Sequence, residues 1–300
     1  MSLVDAPLIV VALGGNAISP PQGDLSFPCE RSLIDRAASE LARLAERHNR
    51  LLIVHGNGPQ VGRLLAVPDI GNPDYLDIFV AQTQGELGYL IAEALDRHLG
   101  VHSTVAVVSR VLVSATDPAF IRPTKPVGPV LPAPPEGVIS ERTPTCRGWR
   151  RVVASPQPLA VVEQDAIAAL LRAKHVVAGG GGGIALSGSP AHQPQAAVID
   201  KDWVAALLAV NLLAIQLVYV TDVPCAFERF GEGTQAALPE LSVGDALRLL
   251  ESGAFAPGSM APKVESAVRF VMASRRPATI TTIGAVDAAL SGRAGTTIHA

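Results

Sequence analysis

The stretch "LIVVALGGNAI" (Leu8–Ile18) opens with six apolar residues in a row and then runs into two glycines. A strand with one wet face alternates apolar and polar residues, whereas an uninterrupted apolar run belongs to a strand buried on both faces. The run therefore predicts a buried first strand over residues 8–13. It is too short to span a membrane, and no positively charged region precedes it. Strands of this kind belong to parallel sheets covered by helices, and such sheets bind ligands at the carboxyl ends of their strands. Gly14 and Gly15 stand at that end.

Outward from this stretch the same alternation recurs. Residues 31–48, 81–99, 160–173, 200–212 and 261–274 carry apolar residues at helical spacing. Between them, residues 50–56, 104–113, 175–183, 215–223 and 278–283 read as strands. The pattern predicts an α/β chain with a mainly parallel sheet and helices on both sides. Residues 114–158 break the rhythm with frequent prolines and six basic residues, Arg122, Lys125, Arg142, Arg147, Arg150 and Arg151. This segment is read as a small lid of short strands leaving the sheet.

Composition narrows the function. With 300 residues, 48% of them hydrophobic, and a charged fraction of 17%, the chain can build a large core. A net charge of −3 argues against a nucleic-acid or membrane-surface partner and leaves small molecules as the expected ligands. Cys29, Cys146 and Cys225 are odd in number and far apart, which reads as reduced thiols in the cytoplasm. The seven histidines show no paired ligand spacing, so no protein-built metal site is expected.

Three glycine loops follow predicted strands: "LGGNAI" (13–18), "HGNGPQVG" (55–62) and "GGGGGI" (179–184). Glycine lets backbone N–H groups approach an anion closely, and a helix starting just after adds its positive end. None of the three fits the dinucleotide fingerprint, the P-loop or the nucleophile elbow. Basic residues sharpen the picture, because only four of the 24 are lysines: Lys125, Lys174, Lys201 and Lys263. Lys174 ends a helix and reads as a solvated charge. The other three occupy short, unusual contexts: "RPTKPVG", "IDKD" and "PGSMAPK". A lysine is a compact point charge on a flexible stem, suited to following a moving phosphoryl group where an arginine fork is too wide. Asp200 and Asp202 flank Lys201 and read as helix caps that also fix the lysines. Thr221 and Asp222 end a strand, where ligand contact is expected.

Taken in order, "VVALGGNAI", "HGNGPQVG", "TQGELGYLI", "PTKPVGP", "RGWRRVVASPQP", "GGGGGI", "AVIDKD", "TDV" and "FAPGSMAPKVESAV" resemble the carbamate kinases of the amino-acid kinase fold, across essentially the whole chain. The resemblance implies a three-layer αβα sandwich around a mainly parallel eight-stranded sheet with a small protruding lid. It implies one amino-acid kinase domain over 1–300: an acceptor side (about 1–175, lid about 114–158) and a nucleotide side (about 176–300). It implies a homodimer and the reaction ATP + carbamate ⇌ ADP + carbamoyl phosphate with Mg²⁺. By motif, Gly14, Gly15, Asn16, Gly56, Asn57, Gly58 and Lys125 would hold the carbamoyl phosphate. Lys201 and Lys263 would neutralise the phosphoryl group, with Asp202 and Asp200 orienting them. Gly180, Gly181, Thr221, Asp222, Met260 and Lys263 would face the nucleotide. The segment before "RGWR" departs from the family pattern, reading "ERTPTC", and the lid is expected to be small. Two alternatives stay open: a kinase of the same fold for another small carboxylate or phosphate, and a non-catalytic nucleotide-binding regulator.

Overall fold

A computed structural model describes residues 6–19, 26–47, 49–67, 71–134, 139–142, 148–188, 192–231, 233–256 and 258–300. Eight strands form one sheet: β1 (Leu8–Leu13), β2 (Arg50–His55), β3 (Thr104–Ala106), β4 (His175–Val177), β5 (Gln216–Val220), β6 (Glu240–Ser242), β7 (Ala278–Thr281) and β8 (Thr296–His299). Their spatial order is β6-β8-β7-β5-β1-β2-β4-β3, and every pairing but β7–β8 is parallel. Six helices carry the argument: α1 (Phe27–Glu46), α2 (Gly58–Leu65), α3 (Leu76–Leu99), α4 (Lys201–Asn211), α5 (Val243–Glu251) and α6 (Met260–Ser274).

The apolar run of β1 is fully buried because each face meets its own layer. Ile9, Val11 and Leu13 pack with Ile34 and Leu41 of α1 and Leu87 and Ile91 of α3. Leu8, Val10 and Ala12 face the other way, into a cluster with Val204 and Leu208 of α4 and Val264 and Phe270 of α6. Burying one such Val, Leu or Ile stabilises by roughly 1.5–3 kcal/mol, so a polar residue anywhere in the run would be felt. The three-layer sandwich is thus a direct consequence of the strand's lack of alternation.

Register then places the site. Leu13 pairs with His55 on one side and Val220 on the other, so β1, β2 and β5 end level. Gly14–Gly15, Gly56–Gly58 and Thr221–Asp222 emerge side by side from these ends.

The proline-rich region forms a separate three-stranded antiparallel sheet, with Trp149–Val153 between Lys125–Leu131 and Ser140–Arg142. Val127 and Val153 pack it onto Val61 of α2 and Phe79 and Val80 of α3. That seat holds Lys125 over the carboxyl edge of the main sheet.

Two expected elements divide. Residues 104–113 read as one strand but make two: β3 joins the main sheet, and Arg110–Val113 joins a small four-stranded sheet with Ile184–Ser187, Pro158–Val161 and Gln193–Pro194. The break falls at Ser109, whose N–H donates to Gln84 Oε1 at 2.8 Å and whose hydroxyl accepts from Gly179 N–H at 2.9 Å. Residues 160–173 read as helical, yet Pro158–Val161 is a strand and only Gln164–Leu170 is α-helix. Glu163, just before that helix, accepts from the Arg110 backbone N–H at 2.7 Å and from Arg110 Nε at 2.6 Å. Among the described residues, no helix is long and apolar enough to cross a membrane.

Candidate active site

The level ends of β1, β2 and β5 form the floor of a cavity of about 450 Å³. Gly14, Gly15, Gly56, Asn57 and Gly58 line it. Gly14 is required by close approach: its N–H donates to the Val220 carbonyl at 2.8 Å, and a Cβ would stand 2.7 Å from that same oxygen. Asn57 is buried, with its Nδ2 donating to Thr83 Oγ1 of α3 at 2.9 Å. Two helices begin at this floor. Gly58 opens α2 and Lys201 opens α4, so two positive helix ends face the cavity. The backbone of Asn16 lies in the short helix Gly15–Ile18; its side chain and all of Arg147 fall outside the described residues.

Three lysines reach the cavity from three different elements. Lys125 comes from the small sheet, Lys201 from the first turn of α4 and Lys263 from the first turn of α6. Two aspartates hold them. Asp200 Oδ2 accepts from Lys125 Nζ at 2.8 Å, while its Oδ1 caps α4 by accepting the Asp202 N–H at 3.0 Å. Asp202 is buried, with one carboxylate oxygen on Lys201 and the other 3.0 Å from Lys263 Nζ. Lys263 also donates to the Ser259 carbonyl at 3.2 Å.

Burial by itself would raise the Asp202 carboxyl, but the two ammonium groups and their hydrogen bonds outweigh it and hold the pKa at about 2. The lysines respond oppositely to the shared carboxylate. Lys201 is the more deeply desolvated, so burial lowers it despite Asp202 and is reinforced by repulsion from Lys263. Lys263 is also penalised by burial, yet attraction to Asp202, with Asp200 and Asp222 adding to it, leaves it raised. His55, at the end of β2, is desolvated to about 4 and so is neutral at physiological pH. Its Nδ1–H donates to the Gly56 carbonyl at 3.1 Å.

The remaining expected residues divide between wall and backing. Thr221, Asp222 and Met260 line the cavity, and Thr221 Oγ1 donates to Asp222 Oδ1 at 3.1 Å. Gly181 lines it too, against Asn57: a Cβ there would fall 2.1 Å from Asn57 Nδ2, and its φ is +61°. Gly180 packs behind that wall, where a Cβ would fall 2.4 Å from His55 Nε2. Lys174 stands apart and donates to the His102 carbonyl at the surface.

Residues 7–282 match the amino acid kinase family. Over 97% of its length the chain is 40% identical to the carbamate kinase of Escherichia coli (strain K12), covering 98% of that protein. It is 39% identical to the carbamate kinase of Lentilactobacillus hilgardii, over 97% and 96% of the two chains.

The chain belongs to the carbamate kinases of the amino acid kinase family.

Its fold agrees. The carbamate kinase from Giardia lamblia bound to AMP-PNP superposes with a TM-score of 0.89 at 32% identity, covering 99% of both chains. In this carbamate kinase family member the cavity has one wall that the sequence reading passed over. Phe227, Phe230 and Phe255 line it together with Thr221 and Asp222, with Phe227 and Phe230 ring centroids 5.9 Å apart. A signal was present: the chain has only seven phenylalanines, and three gather here.

Proposed function

We propose that this chain catalyses ATP + carbamate ⇌ ADP + carbamoyl phosphate, with physiological flux toward ATP. The observation that supports it best is the convergence of three lysines, held by two aspartates, over glycine loops and two helix N-termini. No His–carboxylate pair faces the cavity among the described residues, and the reaction needs none. In the direction of carbamoyl phosphate synthesis, a carbamate oxygen anion attacks the γ-phosphorus. The new O–P bond forms as the bond to the β-γ bridging oxygen breaks, ADP leaves, and no proton moves. What such a transition state needs is positive charge distributed along the line of transfer. Lys201 and Lys263 supply it around the phosphoryl group. Lys125, on the side of the glycine loops, meets the carbamoyl end. The phenylalanine wall receives the base.

Mg²⁺ fits this site as the nucleotide's companion. It favours octahedral oxygen ligands and is commonly held by substrate phosphates, waters and one or two carboxylates. Asp202 and Asp200 are engaged by lysines, so the phosphates would provide most of the coordination. When bound, the ion would neutralise charge on the β- and γ-phosphates. We further propose one kinase domain acting as a homodimer in the cytoplasm.

The test is luminescent detection of ATP formed from ADP and carbamoyl phosphate with magnesium. ATP formation is expected. Transfer only to another carboxylate or phosphate acceptor, or nucleotide binding with no turnover, would overturn the assignment.

A further inference from the structure

Of three tyrosines in the chain, Tyr75 and Tyr89 are exposed and Tyr219, next to the last residue of β5, is completely buried. The strand reads "QLVYV", and its neighbours there are apolar, so phenylalanine would fill the same space. A buried phenol is tolerated only when its hydroxyl has a partner. Tyr219 donates to Ser266 Oγ at 2.8 Å and lies 3.5 Å from the Asp202 backbone carbonyl. Ser266, also fully buried, sits on α6 one turn after Lys263. Its hydroxyl passes the chain on, donating to the Pro262 carbonyl at 2.6 Å with the Lys263 carbonyl at 3.2 Å. A mid-helix serine is mildly unfavourable by propensity, so both polar groups need a reason to stand in an apolar layer.

The chain of contacts supplies one. It runs from the strand through Ser266 to the first turn of α6, which carries Lys263, and passes 3.5 Å from the Asp202 carbonyl in the first turn of α4. We propose that Tyr219 is a positioning residue for phosphoryl transfer: through Ser266 it ties β5 to the first turn of α6 and so fixes Lys263 relative to Asp202. The phenol acts only as a hydrogen-bond donor, since burial keeps it protonated far above neutral pH. The inference rests on the carbamate kinase reading above.

The experiment is steady-state ATP formation by Tyr219→Phe, Ser266→Ala and Lys263→Ala, and by Tyr219→Phe combined with Lys263→Ala. Misplacing a catalytic charge by a fraction of an ångström costs on the order of tenfold in turnover. Tyr219→Phe and Ser266→Ala should each lower kcat by about tenfold, while KM for ADP and carbamoyl phosphate stays within about twofold. AMP-PNP affinity should be unchanged. In the Lys263→Ala background the tyrosine substitution should lower kcat by less than about twofold, because the charge it positions is gone. A purely structural role would lower the melting temperature but give the same factor in both backgrounds. Full kcat in Tyr219→Phe and Ser266→Ala, or an undiminished tenfold loss without Lys263, overturns the tie. An inactive native protein overturns the broader reading along with it, whereas an active native protein with a fully active Tyr219→Phe overturns the tie alone. Because Ser266→Ala removes the same hydrogen bond from the other side, misfolding of one variant does not shield the proposal.

Discussion

Asp202→Asn is the substitution whose outcome the site geometry specifies most fully. The carboxylate takes Lys201 on one oxygen and Lys263 on the other, the latter at 3.0 Å. Asparagine keeps one acceptor and replaces the second with an N–H₂ donor pointed at an ammonium group. The ion-paired set of Lys125, Lys201, Lys263, Asp200 and Asp202 then goes from one net positive charge to two. Removing one partner of a buried ion pair costs about 3–5 kcal/mol, so unliganded Asp202→Asn should lose about 3 kcal/mol of stability in urea unfolding. Nucleotide phosphates can replace the missing negative charge. Saturating AMP-PNP should therefore restore most of that loss, and its affinity should be kept or increased. Turnover behaves differently, because two unrestrained lysines no longer sit where charge develops. Loss of one preorganised electrostatic element lowers kcat by about 10²–10³. Coupled ATP synthesis, calorimetric AMP-PNP binding and urea melts on one sample separate the three effects. Native-like kcat, or AMP-PNP binding weakened by the same factor as kcat, would refute the idea that Asp202 stores and aims the lysines.

Lys125→Ala should raise KM for carbamoyl phosphate by about tenfold while leaving ADP affinity within about twofold, since the small sheet that carries it packs on α2, the helix that Gly58 opens; initial rates with each substrate varied in turn decide it, and the reverse pattern places Lys125 at the nucleotide. Gly181→Ala must fit a Cβ 2.1 Å from Asn57 Nδ2 at a φ of +61°, so kcat/KM should fall by at least about 10²-fold, with Gly58→Ala, where a Cβ meets nothing, as the milder control. His55 is held at about 4 against 6.5 when unfolded, so the unfolded chain binds its proton first as pH drops. The stability of the neutral folded form is complete above about pH 6.5 and declines by about 3 kcal/mol as pH falls to about 4; His55→Asn should flatten that part of a urea-midpoint profile, and an unaltered slope would assign it to other groups.

What could be seen in the sequence tracks what is local. The apolar run at β1, the glycines after it and the cap at Asp200 are consequences of neighbouring residues, and the structure has them where the pattern put them. Periodicity could not show that 104–113 changes sheets, because both halves are apolar and the bend at Ser109 depends on Gln84, far away in α3. Nor could it show that "AVV" at 160–162 begins in a strand, since its partner is the distant Arg110–Val113. The short helix α2, helix α5 and strands β6 and β8 lacked the length or contrast to stand out. At the site, lysine scarcity singled out three side chains that the structure brings to one cavity, but the phenylalanine wall, His55 and Tyr219 come together only through the level register of β1, β2 and β5 and the helices behind them.

The preference for lysine at these positions has a physical cause that the ion pairs make concrete. Without ligand, each lysine of the cavity rests on an aspartate beside a backbone amide or a second lysine, in a space where Lys201 Cε already comes within 3.4 Å of where a Gly56 Cβ would be. A guanidinium would take both oxygens of Asp202 in a bidentate grip and leave no room for a second cation. An ammonium takes one oxygen, so a single carboxylate can carry two charges and release either one by rotation about a flexible stem. Asp202 is itself fixed by helix α4, whose cap is Asp200, and Asp200 in turn holds Lys125 of the small sheet. Ligand phosphates entering this network compete for all three lysines at once. Closing Lys125 onto substrate must therefore release Asp200, the residue that caps the helix bearing Lys201 and Asp202. On the function proposed above, arrival of the acceptor at Lys125 would thereby be felt at the cap of α4 without any large movement of the sheet.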